Sequence, residues 1–332
     1  MTARAEALLV LLADGALHSG AGLAASLGVS RAAVWKLVGE LRGHGIAVES
    51  LPRRGYRLPE AVELLDADRI ERAAAARGPT LHGSLEVLFE TDSTNTHLQA
   101  AAAPAPGRPR ICFAELQRAG RGRRGRSWLA PFGSGLTFSV AWTFPETPPG
   151  LPALGLAIGV AVAEALRALG AEEVGLKWPN DIVWRRRKLG GLLLQLRTET
   201  GGPATVVAGV GLNLALPVGS RDALEGAGAY PVADLREAMP AGRPGRNELA
   251  GALVAAIVAA LAEFARDGFA PFAPRWSALD ALAGERVRVT QGETGVEGVA
   301  HGADADGALL VEVAGRIEHF HSGDVSLRPA VP

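Results

Sequence analysis

Within residues 4–13, Leu8, Leu9, Leu11 and Leu12 recur at helical spacing, which predicts a short helix with one buried face. A second helix is predicted from a Ser19 cap to Gly28, and a third from a Ser30 cap to about Gly43. In the third, Val34, Leu37, Val38 and Leu41 form the apolar stripe and leave Arg31, Trp35 and Lys36 on the outward face. Residues Ile46 to Leu58 then read as two short strands around the basic turn Arg53-Arg54-Gly55. The order is that of a helix-turn-helix with a wing, bounded near residue 62 within the connector Pro59 to Leu65.

Past a helix starting near Asp66, the pattern switches repeatedly between helical and alternating periods. Strands are predicted near 85–90, 110–116, 135–144, 174–177, 181–184, 189–198 and 204–214, with helices near 94–103 and 151–169. The Gly- and Pro-rich stretch 217–245 reads as a long surface loop, followed by a helix near 246–265. The Ala-rich run Leu249 to Ala262 inside that helix is too short for a bilayer and reads as buried. After Gly284, strands near 286–289, 296–300, 308–313 and 316–320, separated by Gly- and Asp-rich turns, predict a small β-barrel. The expected fold class is multi-domain α/β, with a winged helix-turn-helix over 1–62, a central α/β domain over 63–283 and the small barrel over 284–332.

A length of 332 residues with a hydrophobic fraction of 48% supports several packed cores. The formal net charge of -1 excludes a basic surface overall, so any contact with nucleic acid has to be local. Residues 1–58 supply that locality, because Arg4, Arg31, Lys36, Arg42, Arg53, Arg54 and Arg57 outnumber Glu6, Asp14, Glu40 and Glu49. In a helix-turn-helix the early residues of the recognition helix meet base edges and wing cations meet phosphates. Ser30, Arg31, Trp35, Lys36, Arg53 and Arg54 are therefore the candidate DNA-binding residues; a dimerisation or spacer module of the same shape is the alternative. The single cysteine, Cys112, cannot form an internal disulfide and lies in an apolar strand, so a core role in a reducing cytoplasm is expected. No secretory leader is evident, and no membrane partner is expected.

Four segments carry candidate chemistry. Residues 120–126 place Arg121, Arg123, Arg124 and Arg126 among Gly120, Gly122 and Gly125, between two predicted strands. Glycine lets the backbone approach oxygen atoms closely, and guanidinium forks bind carboxylate and phosphate bidentately, so this loop is expected to hold both kinds of anion. It is not a P-loop, since no Gly-x-x-x-x-Gly-Lys-Ser/Thr occurs. Lys177-Trp178-Pro179-Asn180-Asp181 combines a cation, an aromatic face, an amide and a carboxylate, a mixture suited to a nucleotide and its metal, with Asp181 the candidate Mg²⁺ ligand. A tight Asn/Asp turn is its plain alternative. Lys188, after Arg185-Arg186-Arg187 and ahead of the apolar run Leu192 to Leu196, is placed to neutralise a carboxylate and an α-phosphate together, although such a run also suits a solvated hairpin. Thr91-Asp92-Ser93-Thr94-Asn95 and Gly209-Val210-Gly211-Leu212-Asn213 are weaker alone, since a helix cap and a strand closely approached by other backbone account for them.

In this order, Thr91 to Asn95, Gln117, Gly120 to Gly125, Trp128, Lys177 to Asp181, Lys188 to Gly191 and Gly209 to Asn213 resemble the biotin protein ligase family. With the winged module ahead and the barrel behind, the chain is similar to the three-domain bacterial form that is both ligase and biotin-operon repressor. The resemblance implies a class II synthetase-like catalytic domain with a mixed sheet and an SH3-like C-terminal barrel. It implies two steps: biotin and MgATP give biotinyl-5′-adenylate, and a lysine of a biotin carboxyl carrier protein domain then takes the biotinyl group. Arg121, Arg123 and Lys188 become the implied catalytic set. Ser93, Thr94, Asn95, Gln117, Gly122 and Gly191 join them around biotin; Trp128, stacked on adenine, and Lys177, Asn180, Asp181, Asn213 and Arg328 line the ATP side. Operator DNA, and a homodimer formed when the adenylate is bound, are the further partners implied. A lipoate or octanoate protein ligase-like enzyme, and a ligand-sensing repressor without ligase activity, are the competing readings.

Overall fold

The computed structural model describes residues 1–78, 81–198, 203–217, 219, 221, 231–291, 294–321 and 325–329. Helices α1 (Ala3–Leu12), α2 (Gly20–Leu27) and α3 (Arg31–Gly43) precede the hairpin of β1 (Glu49–Leu51) and β2 (Gly55–Arg57). Each helix begins where a hydroxyl can cap it: Thr2, Ser19 and Ser30 accept from the amides of Ala5, Gly22 and Ala33. The α2–α3 turn rests on Gly28, left-handed at φ 63°, and Leu8, Leu12, Leu23, Val34 and Leu41 close one core.

The central domain is built on a seven-stranded sheet of β3 (Ser84–Thr91), β4 (Arg110–Gln117), β5 (Gly135–Phe144), β6 (Val174–Lys177), β7 (Asp181–Trp184), β8 (Arg187–Thr198) and β9 (Ala204–Asn213), in the order β3-β4-β5-β9-β8-β7-β6. β3 and β4 run parallel and the other pairs antiparallel, so the sheet is mixed. Because side chains alternate along each strand, Ile111, Phe113, Phe138, Val140, Val206 and Val210 face one way, into the main core. That core includes residues of α4 (Ala67–Ala75), α6 (Leu154–Ala168), α7 (Leu235–Ala238) and α8 (Arg246–Asp267). The intervening positions face α5 (Thr94–Ala100), whose Leu98 packs with Cys112, Ala141 and Val207.

Three expectations need correction here. α5 stops at Ala100 rather than near 103, since Ala101 turns extended (φ −79°, ψ 162°) three residues short of Pro104. α8 extends beyond its apolar run to 22 residues, and both it and Leu151–Ala168 are long and apolar enough to cross a membrane; here 61% and 67% of those windows are buried as core helices. The stretch 217–245 is not all loop, since it carries α7 and, at Val232, a bridge to Lys188; residues 218, 220 and 222–230 of it lie outside the described residues.

After α9 (Ala273–Leu279), the strands β10 (Arg286–Gln291), β11 (Thr294–Ala303), β12 (Leu309–Val313), β13 (Arg316–Phe320) and β14 (Val325–Pro329) form an antiparallel sheet in the order β13-β12-β11-β10-β14. Among the described residues β13 and β14 remain edges, so the sheet is open where a closed barrel is expected. Val287, Val289, Leu309 and Val311 share the main core. Trp178, read from sequence as an aromatic face for a nucleotide, is 1% exposed and donates its Nε1–H to the Gly307 carbonyl at 2.9 Å. It fastens the C-terminal sheet to the central domain.

The winged module is fastened by charge as well as by packing. Phe89, Leu116 and Phe132 join its core, and the Val62 amide donates to the Ala13 carbonyl at 2.8 Å. Beside them, Arg118 grips both oxygens of Glu90 (2.7 and 2.6 Å), and His44 Nδ1 at the end of α3 lies 2.8 Å from the same carboxylate. The Arg118 hydrogen bonds foremost, with His44 adding to them, hold the Glu90 carboxyl down at about 2, against the opposing effect of burial.

Candidate active site

Strand register builds the floor of the site. Asp181, Gly191, Gly211 and Thr137 form one row across β7, β8, β9 and β5, and Leu193, Gly209, Ser139 and Cys112 form the next. At two of these positions a side chain has no room. A Cβ at Gly209 would overlap the Asn95 carboxamide, and one at Gly211 would come within 2.7 Å of the Trp128 ring.

Over the second row, the start of α5 makes a neutral polar network. Ser93, Thr94 and Asn95 are each 3% exposed. Gln117 Oε1 accepts from the Thr94 amide (2.8 Å) and hydroxyl (3.3 Å), and Thr94 Oγ1 lies 2.7 Å from Ser139 Oγ. Ser139 in turn donates to Asn95 Oδ1 at 2.5 Å, while Asn95 Nδ2 donates to the Leu193 carbonyl and to Gln195 Oε1. Ser93 makes no side-chain bond as a cap. Such a network fixes the orientation of amide and hydroxyl groups without adding charge, which suits recognition of an uncharged polar ring.

Beside the first row the chemistry turns ionic. After Gln117 the chain loops out and returns, with Gly122 N–H donating to the Arg126 carbonyl, Arg121 bridging Ser127, and Trp128 N–H donating to Gly120. A 3₁₀ turn at Arg123–Gly125, with Arg124 at φ 57°, points Arg123 inward. Arg121, Arg124 and Arg126 are exposed, whereas Arg123 Nη1 lies 3.3 Å from Asn180 Oδ1. Burial lowers the Arg123 pKa, as do Arg124 and Arg126, and Asp181 opposes them; a guanidinium still keeps its charge, so Arg123 is a partly desolvated cation.

Asp181 sits between two ammonium groups, with Lys188 Nζ 2.6 Å from Oδ1 and Lys177 Nζ 3.8 Å from Oδ2. Asn180 is braced by donating to the Leu192 carbonyl at 2.7 Å. Lys188 Nζ lies 6.0 Å from the centre of the Trp128 ring and 3.5 Å from where a Gly191 Cβ would stand. Trp128 Nε1 is buried with no hydrogen-bond partner among the described residues. Asn213 is buried too, but its amide donates to the Ala233 and Lys188 carbonyls and so holds the backbone that carries Lys188. The backbone of Arg328 pairs with Arg288, and its side chain lies outside the described residues.

The structure thus brings Thr94, Asn95 and Gln117 together over one glycine-containing row of the sheet, with Ser93 buried beside them, and Arg123, Trp128, Lys177, Asn180, Asp181, Lys188 and Gly191 together by the other, while Gly122 contacts Arg126 within its own loop. It leaves Arg121 exposed at the rim. Ser139 and Gln195 are additional members. For Ser139 a signal was available: Thr137, Ser139 and Thr143 put polar residues at three of the five positions on one face of β5, in a strand buried throughout. On the winged module, Arg31, Trp35 and Lys36 project from α3, with Trp35 66% exposed, and Arg53 and Arg54 stand on the wing tip. Arg42 and Arg57 are exposed as well, but Arg42 binds the Val48 carbonyl and Ser50 and Arg57 pairs with Glu49, so both are tied to the module itself.

Comparison with known proteins places this geometry. The Biotin/lipoate A/B protein ligase family matches residues 88–213, the HTH domain matches 4–57, and the Biotin protein ligase C terminal domain matches 283–328. The Bifunctional ligase/repressor BirA of Salmonella typhimurium is 40% identical over 323 residues, covering 97% of this chain and 97% of that one; the Escherichia coli protein of the same name gives the same figures. The chain belongs to the biotin protein ligase family. A biotin protein ligase from Aquifex aeolicus, solved in complex with biotin and ATP, shares the fold with a TM-score of 0.62 and 27% identity, over 74% of this chain and 99% of that one. This biotin protein ligase therefore combines an N-terminal HTH domain, a mixed-sheet catalytic domain and an all-antiparallel C-terminal sheet.

Proposed function

We propose that the protein joins biotin to ATP as biotinyl-5′-adenylate and passes the biotinyl group to a lysine of a biotin carboxyl carrier protein domain. The carrying observation is the junction of two compartments: the neutral Gln117–Thr94–Ser139–Asn95 network beside Lys177 and Lys188 gathered on Asp181, with Arg123 on the adjacent Asn180. Biotin has a matching division, an uncharged ureido ring at one end and a carboxylate at the other. In the first step a carboxylate oxygen bonds to the α-phosphorus and the bond to the β-phosphate oxygen breaks, releasing pyrophosphate. Two anions must meet, so Arg123 and Lys188 serve by neutralising charge in a partly desolvated site. Arg121 is assigned a place over the bound anions once the loop folds inward. Trp128, with its unpartnered Nε1, and Lys177, Asn180 and Asp181 form the nucleotide side; Asn213 supports Lys188, and Arg328 is the candidate contact from the C-terminal sheet. In the second step the carrier amine attacks the anhydride carbonyl, AMP leaves, and the amine loses a proton.

The donor set suits magnesium arriving with the nucleotide, since one carboxylate plus phosphate oxygens and water satisfies it. Asp181 would hold the ion, which would add positive charge at the phosphates. We assign the C-terminal sheet to the SH3-like barrel class, the compartment to the cytoplasm, and the exposed Ser30, Arg31, Trp35, Lys36, Arg53 and Arg54 to operator DNA, bound by a homodimer that forms with the adenylate. Incubation with labelled biotin, ATP and a carrier domain tests the ligase reading: ATP-dependent labelling of the carrier is expected. Transfer of lipoate or octanoate in preference to biotin would overturn it, as would binding without transfer. A gel-shift assay tests the repressor reading, which requires operator binding to strengthen when biotin and ATP are both present.

A further inference from the structure

Outside the ligase cleft, the pairing of β3 with β4 places Glu86 directly beside Cys112, on the face covered by α5. His97, from the last turn of that helix, projects onto the same spot, with Nε2 2.9 Å from Glu86 Oε1. The carboxylate oxygen, imidazole nitrogen and thiol sulfur of these residues all lie within 4.8 Å of one another. Among the described residues no other group of three or more His, Cys, Asp or Glu side chains is gathered so closely. We propose that Glu86, His97 and Cys112 bind a divalent cation of the zinc class.

The donor chemistry selects that class. Sulfur and imidazole nitrogen suit zinc and its neighbours, a carboxylate completes a three-ligand set, and tetrahedral zinc leaves a fourth position for water. Magnesium and calcium, which demand oxygen donors, are not matched. The sides of the site differ in access: Cys112 is fully buried, whereas the Glu86 and His97 side chains are 41% and 36% exposed and give the fourth position a route to solvent. Without a cation the thiol is inert, since burial first and Glu86 second push its pKa up to about 12. Metal entry replaces the thiol proton: the S–H bond breaks, an S–metal bond forms and one proton goes to solvent. His97 gives up its hydrogen bond to Glu86 for a bond to the ion. The result ties α5 to the two strands beneath it, one turn beyond Ser93, whose carbonyl accepts the His97 amide at 2.9 Å.

The chain has one cysteine, so any thiolate ligation reports on Cys112 alone. Titrating the full-length protein anaerobically with Co²⁺ is expected to give one equivalent bound with a thiolate-to-cobalt charge-transfer band, bleached by Zn²⁺. Cys112→Ser should remove the band. His97→Ala and Glu86→Gln, at partly exposed positions, should each weaken binding by at least the roughly tenfold that loss of even an outer-shell partner of a metal ligand costs. Zn²⁺ should also raise the thermal midpoint of the wild type and not that of Cys112→Ser. No charge-transfer band in the wild type, or unchanged affinity in both His97→Ala and Glu86→Gln, would overturn the proposal. Neither outcome bears on biotin transfer, which is measured separately.

Discussion

Lys188 and Asp181 face each other across the β7–β8 hairpin with Nζ and Oδ1 2.6 Å apart. Gly191 lies opposite Asp181 in the register, beside the end of the lysine stem. An incoming carboxylate or phosphate competes with Asp181 for the same ammonium, so the pair acts as a counter-ion held ready for exchange. Lys188→Ala is expected to slow adenylate formation on the order of 100-fold, and Lys188→Arg to recover only part of it, because a fork does not substitute for a compact ammonium in this space. Pyrophosphate release at saturating biotin and ATP is the readout, and full activity in Lys188→Ala would remove the lysine from the mechanism.

The two floor glycines should separate the two substrates. An added methyl at Gly209 displaces Asn95, and one at Gly211 displaces Trp128. Gly209→Ala is therefore expected to raise the KM for biotin, and Gly211→Ala the KM for ATP, each by about tenfold or more, the effect of roughly 1.4 kcal/mol of lost binding. Identical effects of both variants on both substrates would contradict the division of the cleft into neutral and ionic compartments.

How much of this was legible in the sequence depended on whether neighbours in space were neighbours in the chain. The basic loop stood out because four arginines among three glycines serve neither a core nor an economical turn. Strands such as β5 and β9 followed from long apolar runs, and the helix-turn-helix from its caps. What escaped was set by register and docking. Trp178 looked like a stacking surface beside Asn180 and Asp181, yet it lies in the turn between β6 and β7, and only the docking of the C-terminal sheet shows that its indole is turned to Gly307. Asn213, read as a nucleotide contact, is bound to backbone carbonyls that only the fold brings near. The Glu90–Arg118–His44 cluster joins residues of three separate elements, and no local pattern marks it.

That cluster makes a prediction about domain docking. The Glu90 carboxyl is held at about 2 against an ordinary 4.5, so its contribution is complete above the unfolded value and is lost as pH falls from about 4.5 toward 2. Arg118 is exposed and belongs to the same domain as Glu90, so solvent screens that pair, and His44 supplies a contact with the winged module. Glu90→Gln is expected to speed hydrogen exchange in α3 and in the connector near Val62 at pH 7, with little change in the central sheet. Unaltered exchange in α3 would show that apolar packing alone holds the module.

Asp280 points the opposite way. It follows α9, and burial raises its carboxyl to about 6, with one oxygen accepting from Leu282 and the other without a partner among the described residues. Its folded pKa lies above the unfolded value of 3.8, so stability is fullest below that value and is lost as pH rises through about 6. Asp280→Asn keeps an acceptor for Leu282 and removes the buried charge. It is expected to raise the thermal midpoint at pH 7.5 and leave it nearly unchanged at pH 4, a crossover that thermal melts at the two pH values would detect. A lower midpoint at pH 7.5 would show that the ionised carboxylate has a stabilising partner.

The central claim is that a partly desolvated arginine in the basic loop neutralises two anions as they join. Formation of labelled biotinyl-5′-adenylate from biotin and α-labelled ATP, followed in single turnover for the wild type and Arg123→Ala, tests it most directly. The wild type should form the adenylate, and Arg123→Ala should form it on the order of 100-fold more slowly, the scale of losing one preorganised charge donor. Near-normal adenylate formation by Arg123→Ala would contradict the account.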